Sequence, residues 1–236
     1  MVAPGLAISA THIVRELLAD ILGGTVALLG VPPADRGLEI FRVRELSISS
    51  DSDIMYMSVE LASAVSADWR FLTLPMTTRS PRLGERVHVV GFHLDTFSLD
   101  GDDLSLTGNL YTAAGDVGAV HLPMRDRVLM PFPTIEVACG SIGGMSGAAV
   151  LDETGFLLGV TSRDLTSEDG LGTTFAAWVV GALNRELEIP WLPGLYPQPV
   201  HLLDIDHPLL FIEGRDHVRA VDANRVEHEL WFDRSI

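Results

Sequence analysis

The chain contains no lysine: all 16 of its Lys+Arg residues are arginine. A Ser/Lys dyad, a Schiff-base enzyme and a Walker-type phosphate loop each need an ammonium nitrogen at a fixed place, so all three are excluded. Positive charge is scarce altogether. Against 32 Asp+Glu the net charge is −16, and so negative a surface repels phosphate backbones and anionic headgroups, which argues against nucleic-acid and membrane partners. Cysteine is reduced to Cys139, so no internal disulfide forms and the fold does not depend on an oxidising compartment. A lone thiol of this kind is expected to be a buried spectator. Long apolar runs are missing too. The longest, Phe175 to Leu183, falls far short of the ~20 residues that span a bilayer. The opening MVAPGLAISATHIVREL has no basic leading segment, and His12 and Arg15 come too early for a secretory signal. A soluble, cytoplasmic chain is expected, with secretion entering only if the true start lies upstream.

What is present is the composition of a folded protein. Of 236 residues 47% are hydrophobic and 20% charged, with 22 Gly and 13 Pro, enough apolar surface for one large domain or two small ones. Short runs rich in Val, Ile, Leu and Phe alternate with Gly, Pro, Asp and Ser clusters, the pattern of strands and turns. Strands are predicted at 6–10, 25–31, 38–48, 54–61, 86–92, 104–111, 134–138, 147–151, 156–161 and 173–176. Their regular spacing favours a barrel or sandwich over strand–helix alternation. Two stretches have helical periodicity instead: Val14, Leu17, Leu18, Ile21 and Leu22, stopped by Gly23-Gly24, and Trp178, Val179, Ala182, Leu183 and Leu187, stopped by Pro190. The turn-rich segment 66–85 reads as a crossover between halves, and WLPGLYPQP after Pro190 as a surface strap. Further strands are predicted at 208–212, 217–221 and 226–232.

The segment richest in chemistry is GSIGGMSGAAVLDETGFLLGVTS, residues 140–162. Ser146 stands among Gly143, Gly144 and Gly147, where glycine freedom lets the chain turn tightly and lets successive amide N–H groups converge on an anion. An ordinary Gly/Ser turn would look the same in isolation. The string GMSGA also approximates the GxSxG elbow of α/β-hydrolases, in which the serine begins a helix. Here the residues after Ser146 read as strand, acidic turn, strand, and the required later histidine could only be His201, His207, His217 or His228, none in a recognisable setting.

GMSGAAV followed by GFLLGVTS resembles the nucleophile region of the chymotrypsin/trypsin-like serine peptidases, especially their disulfide-free bacterial members. GLAISATHIV resembles that family's histidine segment and SDSDIMYMSVEL its aspartate segment. RLGERVHVVGF resembles the strand opening the second barrel, and GTTFAAWVVGALNREL the last strand and closing helix. Three motifs in the family's order, spread over about residues 5–188, are far more specific than any one of them. The resemblance implies an all-β fold of two six-stranded barrels. Residues 1–78 would form an N-terminal barrel carrying His12 and Asp53, residues 79–189 a second barrel carrying Ser146, and residues 190–236 a proline-rich strap with a hairpin tail. It implies a serine endopeptidase acting on polypeptide substrates without a cofactor, and leaves room for an activating partner protein.

Within that resemblance a serine hydroxyl, barely ionised at neutral pH, needs a base, and His12 would supply it. Asp53 would hold the imidazole in the right tautomer, with Asp51 as the fallback. The N–H groups of Gly144 and Ser146 would receive the oxyanion, and Ser162 would support the acid. Gly140 falls near the base of the primary pocket, where no acid waits for a basic side chain. Arg163 and Asp164 fall where family members pair their backbone with substrate. No metal site is expected: His88 and His93 are badly spaced for one strand face, and Glu227–Glu229 has no partner cluster. The family normally has two strands before the histidine segment, and only four residues precede Gly5 here. The tail hairpin, 217–221 and 226–232, is expected to fill that gap, because an open barrel edge invites aggregation. A catalytically silent, peptide-binding member is the alternative reading.

Overall fold

The computed structural model describes residues 1–23, 27–30, 39–48, 51–64, 69–100, 103–140, 143–166, 172–187, 200–222, 225–229 and 231. The chain opens with β1 (Leu6–Ala10), runs directly into α1 (Thr11–Leu22), and continues through β2 (Ala27–Gly30), β3 (Glu39–Ser47) and β4 (Ile54–Leu61). These four strands make one curled antiparallel sheet in the order β1-β4-β3-β2. The next strands are β5 (Met76–Thr77), β6 (Arg86–Asp100), β7 (Asp103–His121), β8 (Thr134–Val137), β9 (Ala149–Asp152), β10 (Leu157–Thr166) and β11 (Gly172–Trp178). Six of them form the order β11-β8-β7-β6-β9-β10, and the pairing of β10 with β11 joins the two ends into a closed barrel. A closed barrel beside a half-barrel is the all-β, two-barrel architecture that the motif order implies.

Period-two alternation decides how the halves meet. On β4, Ile54 and Tyr56 point into the large core that includes the closed barrel, whereas Met55, Met57 and Val59 point into a small core with Ala7, Val14 and Phe41. That is why IMYMSV is an unbroken buried run rather than a half-polar strand. The Tyr56 hydroxyl donates to the Ala182 carbonyl at 3.0 Å, and Arg185 donates to the carbonyls of Ser47 and Ile54 at 3.2 and 2.9 Å. These buried polar links tie the half-barrel to the end of the second barrel.

Several predicted elements change size. The second helical face shrinks to α2 (Val180–Leu183), a single turn, because Trp178 completes β11 and Leu187 belongs to a short strand, β12 (Glu186–Leu187). All five of its apolar residues are nonetheless buried. In α1, Val14 of the predicted apolar face is deeply buried, whereas Leu17 and Leu18 lie exposed. The β6–β7 hairpin runs well past its predicted ends as a long ribbon with exposed Phe92, Leu94 and Leu110. The proline-rich strap lies outside the described residues.

After it come β13 (Val200–His201), β14 (Ile212–Glu213), β15 (Val218–Asp222) and β16 (Arg225–His228). The tail hairpin does not fill the half-barrel. Among the described residues β15 and β16 pair only with each other, and they dock beside β5. The His228 ring and the Trp231 indole donate to the Thr78 carbonyl and hydroxyl, each at 2.8 Å, and His228 meets the Trp178 ring edge-on at 5.0 Å. Those bonds and the ring contact hold the hairpin beside β5 and β11.

Candidate active site

Helix α1 starts without a side-chain cap of its own: Ala10, in the cap position, is extended and has no suitable group. Its first donors would stay unsatisfied. Asp53, at the start of β4, meets them. Thr11 N–H donates to the Asp53 carbonyl at 2.9 Å and His12 N–H to Asp53 Oδ1 at 3.0 Å. The register Ala10↔Ile54 between β1 and β4 makes this inevitable, since it lays Asp53 against the strand-to-helix turn. A carboxylate at a helix N-terminus is also favoured by the helix dipole.

The same carboxylate orients the ring. His12 Nδ1 lies 2.7 Å from Asp53 Oδ2, and a carboxylate only accepts, so Nδ1–H donates and Nε2 is left with its lone pair outward. Ser162 Oγ donates to Asp53 Oδ2 at 2.5 Å. Burial pushes the Asp53 carboxyl up, but bonds from the His12 ring and Ser162, together with the His12 charge and amide, outweigh it and hold the group below the usual carboxylate range. Asp53 therefore stays ionised. The His12 side chain is 33% exposed and that of Asp53 11%, so the imidazole faces a cleft while its partner is sheltered.

Ser146 sits half-buried in a turn anchored on both sides. Buried Met145 precedes it, Gly147 N–H donates to the Thr161 carbonyl at 2.8 Å, and Thr161 N–H donates to the Ala148 carbonyl at 2.8 Å. Gly144 and Gly147 have φ of +91° and +85°, which only glycine adopts without strain. Gly147 is also pressed against the histidine segment. A Cβ there would lie 2.3 Å from Ser9 Oγ, 3.2 Å from Ile13 Cδ1 and 3.4 Å from Ala10 N. The residue after Ser146 thus abuts the residues on either side of His12. Ser146 itself lines a cleft of about 280 Å³ with Gly144 and the β6 residues Val90, Gly91 and Phe92.

Of the other predicted residues, Arg163 shares with His12, Asp53 and Ser162 a second cavity of about 160 Å³. Asp164 lies on the other side of β10, its carboxylate near Gly172 and Cys139. Gly140 packs backbone to backbone on Gly172, where a Cβ would come within 2.3 Å of the Gly140 Cα. The charge of Asp51 favours the ionised form of Arg185. Cys139 is buried and near Thr174, and burial pushes its thiol up, which leaves it a poor nucleophile. Two features escaped the sequence reading. Arg15, three residues after His12 on α1, and the Val128–Leu129 tip line the same cavity as His12. His93, hydrogen-bonded to Asp95 at 3.0 Å, leans on Gly144. Helical spacing could have suggested Arg15, whereas nothing local marks the other residues. Among the described residues no three metal-ligating side chains cluster.

Beyond Ser146 the chain enters strand β9 rather than a helix, which overturns the hydrolase-elbow alternative. The late histidines are engaged elsewhere: His201 with the Asn184 carbonyl, His207 with Leu209 N–H, His217 stacked on Trp231 and His228 with Thr78. The model of the trypsin-like peptidase domain matches residues 2–160. The chain belongs to the trypsin-like peptidase family. The HtrA-type protease AlgW, solved with a decapeptide, superposes at a TM-score of 0.51 and 17% identity, covering 78% of this chain and 48% of that one. Human heparin binding protein superposes at 0.50 and 15%, covering 76% and 78%. At such identities the likeness is one of fold. No curated protein matches the chain in sequence. Within this trypsin-like peptidase domain, His12, Asp53 and Ser162 form one hydrogen-bonded group, and the Ser146 turn is seated against the chain that carries His12.

Proposed function

We propose that the chain is a serine endopeptidase that hydrolyses polypeptides through an acyl-enzyme on Ser146. The observation that carries this reading is the threefold grip on Asp53, by the His12 amide, the His12 ring and the Ser162 hydroxyl, with Nε2 of His12 making no hydrogen bond among the described residues and so open to act as the base. In the reaction Ser146 Oγ attacks the scissile carbonyl carbon as its proton passes to His12 Nε2. The carbonyl π electrons move to oxygen, and the Gly144 and Ser146 N–H groups receive that oxyanion. Collapse re-forms the carbonyl and breaks the C–N bond, and the amine leaves with the proton from His12. Water, deprotonated by the same imidazole, then cleaves the ester and returns the proton to Ser146. Asp53 remains anionic and compensates the imidazolium.

Hydrolysis of a quenched casein substrate is the test. Wild type is expected to cleave it, and Ser146→Ala and His12→Ala to lose at least about a thousandfold in kcat. Cleavage surviving in either variant, or a folded wild type without turnover, contradicts the reading, and the second outcome favours a peptide-binding module.

A further inference from the structure

Beside the His12–Asp53 pair lies a cavity whose charge is opposite to that of the molecule. Two arginines line it, Arg15 from α1 and Arg163 from β10, together with the apolar Val128, Leu129 and Phe132. The chain has two acids for each cation, and four arginines elsewhere are held in ion pairs: Arg44 with Glu60, Arg79 with Glu85 and Asp152, Arg86 with Asp116, Arg125 with Asp126. Arg15 and Arg163 are both exposed, and among the described residues neither guanidinium has a hydrogen bond or ion pair. The carboxylate in the cavity, Asp53, is already committed to His12 and Ser162, and that of Asp164 lies away toward Cys139.

The backbone beside this cavity is open as well. Pairing of β10 with β9 ends at Val160↔Ala149, and among the described residues Arg163 and Asp164 pair only with β11, so the other edge of β10 is free for an extended peptide. The register shifts between Thr161 and Arg163, and a bulge there re-aims neighbouring side chains: Ser162 bonds Asp53 while Arg163 lines the cavity. A peptide added to that edge and reaching Ser146 carries its acyl-side residues past Arg163 and Arg15. We infer that Arg15 and Arg163 select polypeptides with an acidic side chain, flanked by apolar residues, on the acyl side of the bond to be cut.

This inference rests on the endopeptidase reading for the direction of the bound chain, and its readout is binding rather than turnover. Fluorescein-labelled octapeptides of one apolar sequence, with Glu, Gln or Lys placed at each acyl-side position in turn, are titrated into full-length Ser146→Ala by anisotropy. The Glu peptide at the preferred position is expected to bind about tenfold tighter than its Gln counterpart, the Lys peptide weakest, with the advantage shrinking in high salt. Arg15→Glu/Arg163→Glu should invert the Glu–Lys order, and Arg163→Gln alone should reduce the preference. Equal binding of the three peptides within about twofold, preference for Lys, or no binding at all overturns the inference. Fluorophosphonate labelling of wild type reports separately on Ser146, so a failed charge preference with intact labelling sinks the subsite alone.

Discussion

The position most sensitive to a single atom is Gly147. Its φ of +85° strains any other residue, and an added Cβ would meet Ser9 Oγ at 2.3 Å and Ile13 Cδ1 at 3.2 Å. Gly147→Ala is expected to lower stability by about 1–3 kcal/mol and to impair turnover further, since the Ser146 turn must lift away from the His12 segment. Denaturant melts and peptidase assays on the same preparation check both effects. Asp53 gives a prediction in pH. Its carboxyl is held below the ordinary range, so the stability it contributes is fully present above the unfolded value, about 3.9, and is lost as pH falls through the lower folded value. The stability gap between wild type and Asp53→Asn should therefore close as the solution is acidified below about pH 5. A gap that widens on acidification would contradict this account of the carboxylate.

At the scale of elements, α1 and the tail hairpin each rest on contacts far away in sequence. The helix has its first N–H groups met by Asp53, 41 positions after His12, so one residue both completes the helix and orients the ring. In the tail, burial lowers the readiness of His228 to take a proton, against the opposing pull of the Thr78 carbonyl, and the nearby His217 lowers it further. A depressed histidine contributes stability above its unfolded value, near 6.5, and loses it as pH falls through the folded one. Once the intrinsic pH dependence of amide exchange is divided out, the protection factors over β15 and β16 are thus expected to fall between pH 7 and 5, and to lose that dependence in His228→Phe. Unchanged protection factors in wild type would refute the coupling. Strands β1 and β4 were legible to the residue because their ends coincide with a helix start, a Ser-Asp turn and unbroken apolar runs. The closing helix was not, because the i, i+4 spacing of Trp178 and Ala182, and of Val179 and Leu183, is equally served by a strand end and one turn whose residues face the same core. Nor was the destination of the tail, which depends on Thr78 and Trp178 and leaves no mark in residues 217–231.

For the molecule as a whole, one sheet separates two unequal cores, and odd and even residues of β4 serve different ones. That partition sets the half-barrel against the closed barrel and brings His12 and Asp53, from the first sheet, to Ser162 on β10 of the second. The order of the three motifs carried this architecture in the sequence, since each names a strand end and the barrels dictate which ends meet. The charge of the cleft was invisible there: a total of −16 says nothing about where two arginines stand. The central claim is that one serine is activated by one imidazole across the seam. Its most direct test is intact-mass and peptide mapping after brief exposure to a fluorophosphonate, with wild type and His12→Ala side by side. One adduct per chain on Ser146, formed at least about a thousandfold more slowly in His12→Ala, is the expected result. An adduct on another residue, or equal rates in the two proteins, would contradict it.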